Sequence, residues 1–335
     1  MKSQQTLFVC EFITGGGFVG AALPESLAQE GMLMRDALLR DLDQLEGWQL
    51  VTTYDSRVSP VHAKVRSIAV DGHCDVWEIW RECMAEADAV WVVAPETDGI
   101  LYQLAEMAHS LQVRWIGPVP EAIRVTSQKH LTAQVLGRAN LPVIPTYFFS
   151  EWIPDANPAW VVKPNDGAGC ASTYVFNQMA ALETWFTQDK QRQQTHVIQP
   201  YISGKPASIC VLGLKDEVVV LSCNLQWMLL QDGKLSYTGG RINGASAYWP
   251  QLKLLANDIK AAVPGLIGYF GVDLLLDTQT ARGVTIVEVN PRLTTSYVHL
   301  HQAIGCNPAA MVMDAMLAPT FSMPDIKREQ IEFYV

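Results

Sequence analysis

The sequence predicts an α/β fold that turns into α+β in its second half. Three observations carry this expectation. Between residues 7 and 117, short aliphatic runs alternate with stretches of helical apolar spacing, the pattern of a parallel sheet covered by helices. From Val197 onward, β-rich runs follow one another with glycine turns between them. Pro118 and Pro120 punctuate the change. The expected division is an N-terminal domain over 1–117, a central part over 118–198 and a C-terminal part over 199–335.

Leu7 to Ile13 is a buried-strand candidate, and Thr14-Gly15-Gly16-Gly17 follows at once. A glycine turn after a first strand is where such sheets hold ligands, but this is not G-x-G-x-x-G, and a plain tight turn fits equally well. Glu11 is an odd residue inside a strand unless it meets a polar partner. Met34, Leu38, Leu42 and Leu45 form an apolar stripe at helical spacing, so Met32 and Met34 read as core filler. Gln49 to Tyr54 reads as a strand, Asp75 to Ala87 as a helix, and Ala89 to Pro95 as a strand stopped by proline. Glu96, Thr97 and Asp98 then stand at a carboxyl-end ligand edge or cap the next helix, and Asp98 as N-cap is favoured. Val113 to Gly117 closes this part as a strand.

Ser127 to Ala139 reads as a helix. Trp160-Val161-Val162-Lys163-Pro164-Asn165-Asp166-Gly167-Ala168-Gly169-Cys170 is a strand running into a glycine-rich turn. Small residues let backbone N–H groups approach phosphate, and Lys163 adds a point charge. A hairpin loop is the plain alternative, and the P-loop pattern is absent. Further β-rich runs cover 197–204, 207–214, 217–230 and 235–237, with Arg241 after a glycine turn, and Trp249 to Ala262 reads as a helix.

The densest chemistry lies near the end, in Gly271-Val272-Asp273-Leu274-Leu275-Leu276-Asp277 and Val284-Thr285-Ile286-Val287-Glu288-Val289-Asn290-Pro291-Arg292. These runs predict a hairpin. A period of two places Ile286, Glu288 and Asn290 on one face, with Asp273 on the paired strand. Carboxylate and amide oxygens suit a hard cation such as Mg²⁺, which shares its shell with water and phosphate. Arg292 suits phosphate or carboxylate. The plain alternative is a hairpin that happens to carry acids, and an unpaired acid in an apolar strand is costly.

Composition narrows the classes. The chain has 335 residues, 49% of them hydrophobic, and a net charge of −10. A core is affordable, no run of about 18 apolar residues occurs, and an acidic surface argues against nucleic acid. Seven cysteines without a C-x-x-C pair fit a reducing cytoplasm, and the N-terminus lacks a signal peptide's apolar core. Neither a membrane nor a nucleic-acid partner is expected, and self-association stays open.

The motifs S-Q-K-H-L-T, K-P-N-D-G-A-G and D-L-L-L-D…V-E-V-N-P-R together resemble the ATP-grasp superfamily from end to end. The resemblance implies an N-terminal Rossmann-like domain and two subdomains that clamp ATP. It implies Lys129 and Lys163 as the ATP lysines, Asp166, Gly167, Ala168 and Gly169 as the phosphate loop, and Gln199, Tyr201 and Ile202 as the adenine hinge. Asp273, Glu288 and Asn290 become ligands of Mg²⁺ or Mn²⁺, with Arg241 and Arg292 near an acyl phosphate. Two departures stand out: Gln199 replaces the usual hinge Glu, and Lys205-Pro206-Ala207 stands where an acid often holds ribose. E-F-I-T-G-G-G at the start is most similar to the ligases that join tyramine to glutamate for methanofuran-type cofactors. That implies a carboxylate and an amine as substrates, with Glu11, Gly15, Gly16 and Gly17 as candidate substrate residues. Alternatives are an amino-acid or dipeptide ligase of the same fold, a non-catalytic ATP-binding module, and a dinucleotide-dependent oxidoreductase using the Gly15 loop.

Overall fold

The computed structural model describes residues 4–61, 64–154, 157–167, 169–170 and 172–335. In chain order the first part runs β1 (Gln5–Glu11), α1 (Glu25–Leu42), β2 (Trp48–Asp55), β3 (Arg66–Val70), α2 (Val76–Glu86), β4 (Ala89–Val93), α3 (Ile100–Ser110) and β5 (Arg114–Trp115). All strand pairs here are parallel, in the order β3-β2-β1-β4-β5. The period of two sorts β1 between two cores. Leu7 and Val9 pack with α1 residues Met34 and Leu38, whereas Phe8 and Cys10 pack with Trp80, Met84, Leu101 and Leu104 of α2 and α3. The alternating pattern was therefore read correctly. The edge strand β3 was missed because Arg66-Ser67-Ile68-Ala69-Val70 is short and only its last residue is buried.

The chain continues through α4 (Pro120–Thr126), α5 (Lys129–Arg138), β6 (Tyr147–Phe148), β7 (Trp160–Pro164), β8 (Tyr174–Phe176), α6 (Met179–Gln188), α7 (Arg192–Thr195) and β9 (His196–Pro200). It then forms β10 (Lys205–Gly213), β11 (Val218–Gln231), β12 (Lys234–Ile242), α8 (Trp249–Ala262), β13 (Gly268–Leu276), β14 (Val284–Asn290), α9 (Tyr297–Ile304), α10 (Pro308–Leu317) and β15 (Ile331–Tyr334). One sheet of ten strands links them in the order β14-β13-β10-β11-β12-β8-β7-β9-β6, with β15 on β12. One face is sealed by α8, whose Leu252, Leu255 and Ile259 pack on Ile209, Val211, Phe270 and Val272. On its other face Cys210, Leu212, Leu221 and Tyr269 pack with Tyr297 and Leu300, and the remainder includes the cavity residues Ser208, Gln226 and Asp273. A smaller core of Trp152, Trp160, Val162, Leu182, Phe186 and Ile198 holds α6 against β7 and β9.

Helices α9 and α10 fold back onto the first sheet: Tyr297, Leu300, Ile304 and Val312 share a core with Leu7, Leu38 and Trp91. This ties the segment after the hairpin to α1. All seven cysteines are free. No helix among the described residues is long and apolar enough to cross a membrane.

Candidate active site

The hairpin of β13 and β14 is present, and Asp273 stands opposite Glu288, with Gly271 opposite Asn290. The expected face of Ile286, Glu288 and Asn290 is corrected. The register steps from Asp273↔Glu288 to Leu274↔Ile286, so Val287 is an extra residue in a bulge. The bulge reverses the alternation. Ile286 turns into the core with Val272, Leu274 and Val289, while Glu288 and Asp273 face a cavity of about 390 Å³.

Two lysines converge on Glu288. Lys163 Nζ lies 3.2 Å and Lys129 Nζ 3.4 Å from Glu288 Oε2. Asn165 sets this up: its carbonyl accepts from Lys129 N at 2.8 Å and its side chain from His130 N at 2.9 Å. The loop after β7 therefore holds the first turn of α5, and Lys129 also donates to the Gly167 carbonyl at 2.5 Å. Burial pushes the Glu288 carboxyl up, but the two ammonium groups outweigh it and hold it well below the usual range. Among the described residues Asp273 has no such cation at bonding distance. Burial, and then the Glu288 charge, push it up to about 6, against amide hydrogen bonds from Gln226 (2.8 Å) and Asn290 (2.9 Å).

The donor set fits a hard cation. Asn290 gives its amide nitrogen to Asp273, which leaves its carbonyl oxygen beside two carboxylates. No group of three acidic, histidine or cysteine side chains placed to hold a metal ion occurs among the described residues. A Mg²⁺ ion would thus take few protein ligands and depend on phosphate and water for the rest.

Of the residues expected to hold the nucleotide, Lys129, Lys163, Gly167, Gly169, Gln199, Tyr201 and Ile202 line the same cavity. Ala168 lies outside the described residues. Asp166 is directed elsewhere; its carboxylate accepts from Asp98 N at 2.9 Å and so links the loop to the first sheet. Gln199, 3% exposed, donates to Thr146 Oγ1 at 2.8 Å, and Thr146 in turn donates to the Ile144 carbonyl at 3.0 Å. The hydroxyl proton is thereby committed, so the amide nitrogen must face Thr146 and the amide oxygen is left for the cavity.

Arg292 lines the cavity and is gripped by Glu96, at 3.1 Å from Nε and 3.0 Å from Nη2, with Nη1 on the Leu293 carbonyl. Burial works against its charge, but Glu96 outweighs that and raises its pKa. Glu96 is thus a partner of the site. The favoured capping by Asp98 is overturned: Asp98 has φ 55°, Gly99 precedes α3, and no side chain caps it.

Arg241 is corrected. The register of β11 and β12 steps from Trp227↔Gly239 to Met228↔Tyr237, which makes Thr238 an extra residue. Tyr237 and Gln226 face the cavity, but Arg241 is turned away and pairs with Glu332 on β15 (Nε–Oε1 2.8 Å).

Gly15, Gly16 and Gly17 also leave the site. They form a tight turn over Ile13–Gly17, where a Cβ on Gly16 (φ 112°) would come within 2.4 Å of Val70, and one on Gly17 within 2.4 Å of Phe12. Glu11 reaches the cavity wall, yet its carboxylate accepts from Ile13 N (3.2 Å), Thr14 N (2.7 Å) and Thr14 Oγ1 (2.6 Å). Burial raises its pKa. The turn thus serves packing and removes the basis for a dinucleotide loop. Gln226 and Glu30 were missed, because a lone Gln in a β-rich run and a lone Glu in an amphipathic helix carry no signal.

A family model described as an ATP-grasp domain matches residues 126–296, and one described as a pre ATP-grasp 3 domain matches 48–123. The chain belongs to the ATP-grasp family. It is accordingly an ATP-dependent ligase. The tyramine–L-glutamate ligase of Methanocaldococcus jannaschii is 25% identical over 299 residues, which span 87% of this chain and 83% of that protein. The ATP-grasp superfamily protein from Archaeoglobus fulgidus, a crystal structure, has a TM-score of 0.68 at 20% identity, covering 98% of this chain and 99% of its own. N5-carboxyaminoimidazole synthetase from Staphylococcus aureus complexed with ADP gives 0.69 at 16% identity, covering 98% and 81%. The two structures establish the shared ATP-grasp fold.

Proposed function

We propose that this ATP-grasp protein joins the γ-carboxylate of glutamate to tyramine, or to a related aromatic amine such as tyrosine, in building a methanofuran-type cofactor. ATP is converted to ADP and phosphate. The likeness to a tyramine–L-glutamate ligase over most of both chains supports the substrates. The observation that carries the chemistry is the meeting of Lys129 and Lys163 on Glu288 inside one cavity.

Adenine lies at Gln199, Tyr201 and Ile202, with the Gln199 oxygen accepting from its amino group. Lys129, Lys163, Gly167 and Gly169 hold the phosphates. As the nucleotide enters, both ammonium groups exchange Glu288 for phosphate oxygens, so their charge is held in place before ATP arrives. Asp273, Glu288 and Asn290 would hold Mg²⁺ or Mn²⁺, which when bound offsets phosphate charge. The substrate carboxylate oxygen attacks the γ-phosphorus and ADP leaves. The neutral amine then attacks the acyl carbon, the carbonyl re-forms, phosphate departs with the carboxylate oxygen, and the amine gives up one proton to that phosphate. Arg292, fixed by Glu96, stabilises the tetrahedral oxyanion.

The test is to incubate the protein with ATP, Mg²⁺, glutamate and tyramine and to analyse products by mass spectrometry. γ-Glutamyl-tyramide with ADP is expected. Turnover with other acids or amines but not these would overturn the substrates, and AMP with pyrophosphate would overturn the chemistry.

A further inference from the structure

The cavity continues past Arg292 to a wall formed by the first sheet, α1 and the segment after the hairpin. Ile13, Leu27, Met34, Val93 and Ala94 make this wall largely apolar, and Glu11 and Glu30 are its carboxylates. Glu11 is closed by its own turn. Glu30 differs: Thr295 Oγ1 donates to its Oε1 at 2.6 Å, and among the described residues its other oxygen has neither a hydrogen bond nor a cation. Thr295 lies three residues beyond Arg292, so one short segment carries both the guanidinium and the anchor of Glu30. The two charges are near enough for Glu30 to contribute to the field at Arg292.

Charge balance decides what this end lacks. Lys129 and Lys163 face Glu288, and Arg292 is balanced by Glu96. Glu30 is left over. A half-buried carboxylate beside an apolar wall, with one oxygen held by Thr295, suits a cationic group, and the apolar side chains around it disfavour a fully hydrated metal ion. Nη1 and Nη2 of the guanidinium each make one hydrogen bond among the described residues, which leaves each a second N–H for an acid. An attacking amine must be neutral, and a carboxylate beside it would hold it protonated. The fixed cation partner therefore belongs to the acid substrate rather than to the nucleophile.

We propose that Glu30 and Arg292 form a subsite for an α-amino acid, with Glu30 binding the ammonium group and Arg292 the reacting carboxylate. This rests on the ligase reading and adds the group that recognises the acyl donor. Glu30 thereby selects amino acids over simple dicarboxylic acids.

The experiment compares glutamate with glutarate, which lacks the ammonium, by calorimetry in the presence of ADP and Mg²⁺, for wild type and Glu30→Gln. Wild type should bind glutamate at least about 10-fold more tightly than glutarate, the scale of a charged hydrogen bond. Glu30→Gln should remove that preference while ADP affinity stays unchanged. Thr295→Ala keeps the carboxylate but frees it, and should remove part of the preference. If wild type binds both acids alike, or Glu30→Gln keeps the preference, the subsite is wrong. If another amino acid binds in place of glutamate and Glu30→Gln abolishes its advantage over the matching desamino acid, the subsite stands and the glutamate assignment falls.

Discussion

Lys163 Nζ and Glu288 Oε2 lie 3.2 Å apart although 125 residues separate them, and Lys129 reaches the same oxygen at 3.4 Å. One carboxylate thus bridges two buried ammonium groups on separate elements. Two cations forced together in a low-dielectric cavity would repel, so Glu288 has a structural role in addition to any role toward a metal.

Glu288→Gln keeps the shape and removes the charge. Ligase turnover should fall below detection. The folded protein without nucleotide should lose about 3 kcal/mol, the scale for leaving a buried charge unpaired. Urea unfolding measures the second effect, and saturating ATP should restore part of it by supplying phosphate charge. Wild-type stability in the variant would mean that the lysines are not balanced by Glu288.

Lys163→Ala and Lys129→Ala should each weaken ATP binding by about 10- to 150-fold, the range of a charge-assisted hydrogen bond. Calorimetry with a non-hydrolysable ATP analogue checks this. The Lys129 variant also loses the bond to the Gly167 carbonyl, so its effect should be the larger of the two. Unchanged affinity in both would place the phosphates elsewhere.

Thr146 should govern base selection. Thr146→Val removes the acceptor that fixes the Gln199 amide, so the amide can turn and offer its NH₂ group to the 6-oxygen of guanine. The ratio of kcat/KM for ATP over GTP should fall by about 10-fold, the energy of one misdirected hydrogen bond. An unchanged ratio would show that backbone groups of the hinge decide the base.

Arg241 and Arg292 should part company. Arg241→Gln breaks a half-exposed pair with Glu332, at a cost within about 1 kcal/mol, and turnover should stay near wild type. Arg292→Gln should lower kcat by about 100-fold, the effect of removing one oxyanion donor. Equal losses in the two variants would put Arg241 back into the cavity.

The hairpin that carries Asp273, Glu288 and Asn290 was legible in the sequence, and the faces were misjudged where a bulge intervenes. Asp273, Glu288 and Asn290 were recognisable because polar groups inside aliphatic strands need partners. The face of Ile286 and the position of Arg241 were not, because a period of two presumes regular pleating, and the extra residues Val287 and Thr238 leave no mark in composition. Glu11 was rightly singled out as anomalous, but its partner is Thr14, three residues away, in a turn whose shape sequence does not specify. Glu96 looked like a capping residue because its partner Arg292 lies 196 residues further on.

In the proposed reaction the γ-phosphoryl group passes to a substrate carboxylate. Glutamate labelled with ¹⁸O in its γ-carboxylate tests this most directly, with the protein, ATP, Mg²⁺ and tyramine present. ADP is expected as the nucleotide product, with one ¹⁸O atom in the inorganic phosphate released. Label in AMP, or unlabelled phosphate alongside amide formation, would contradict it.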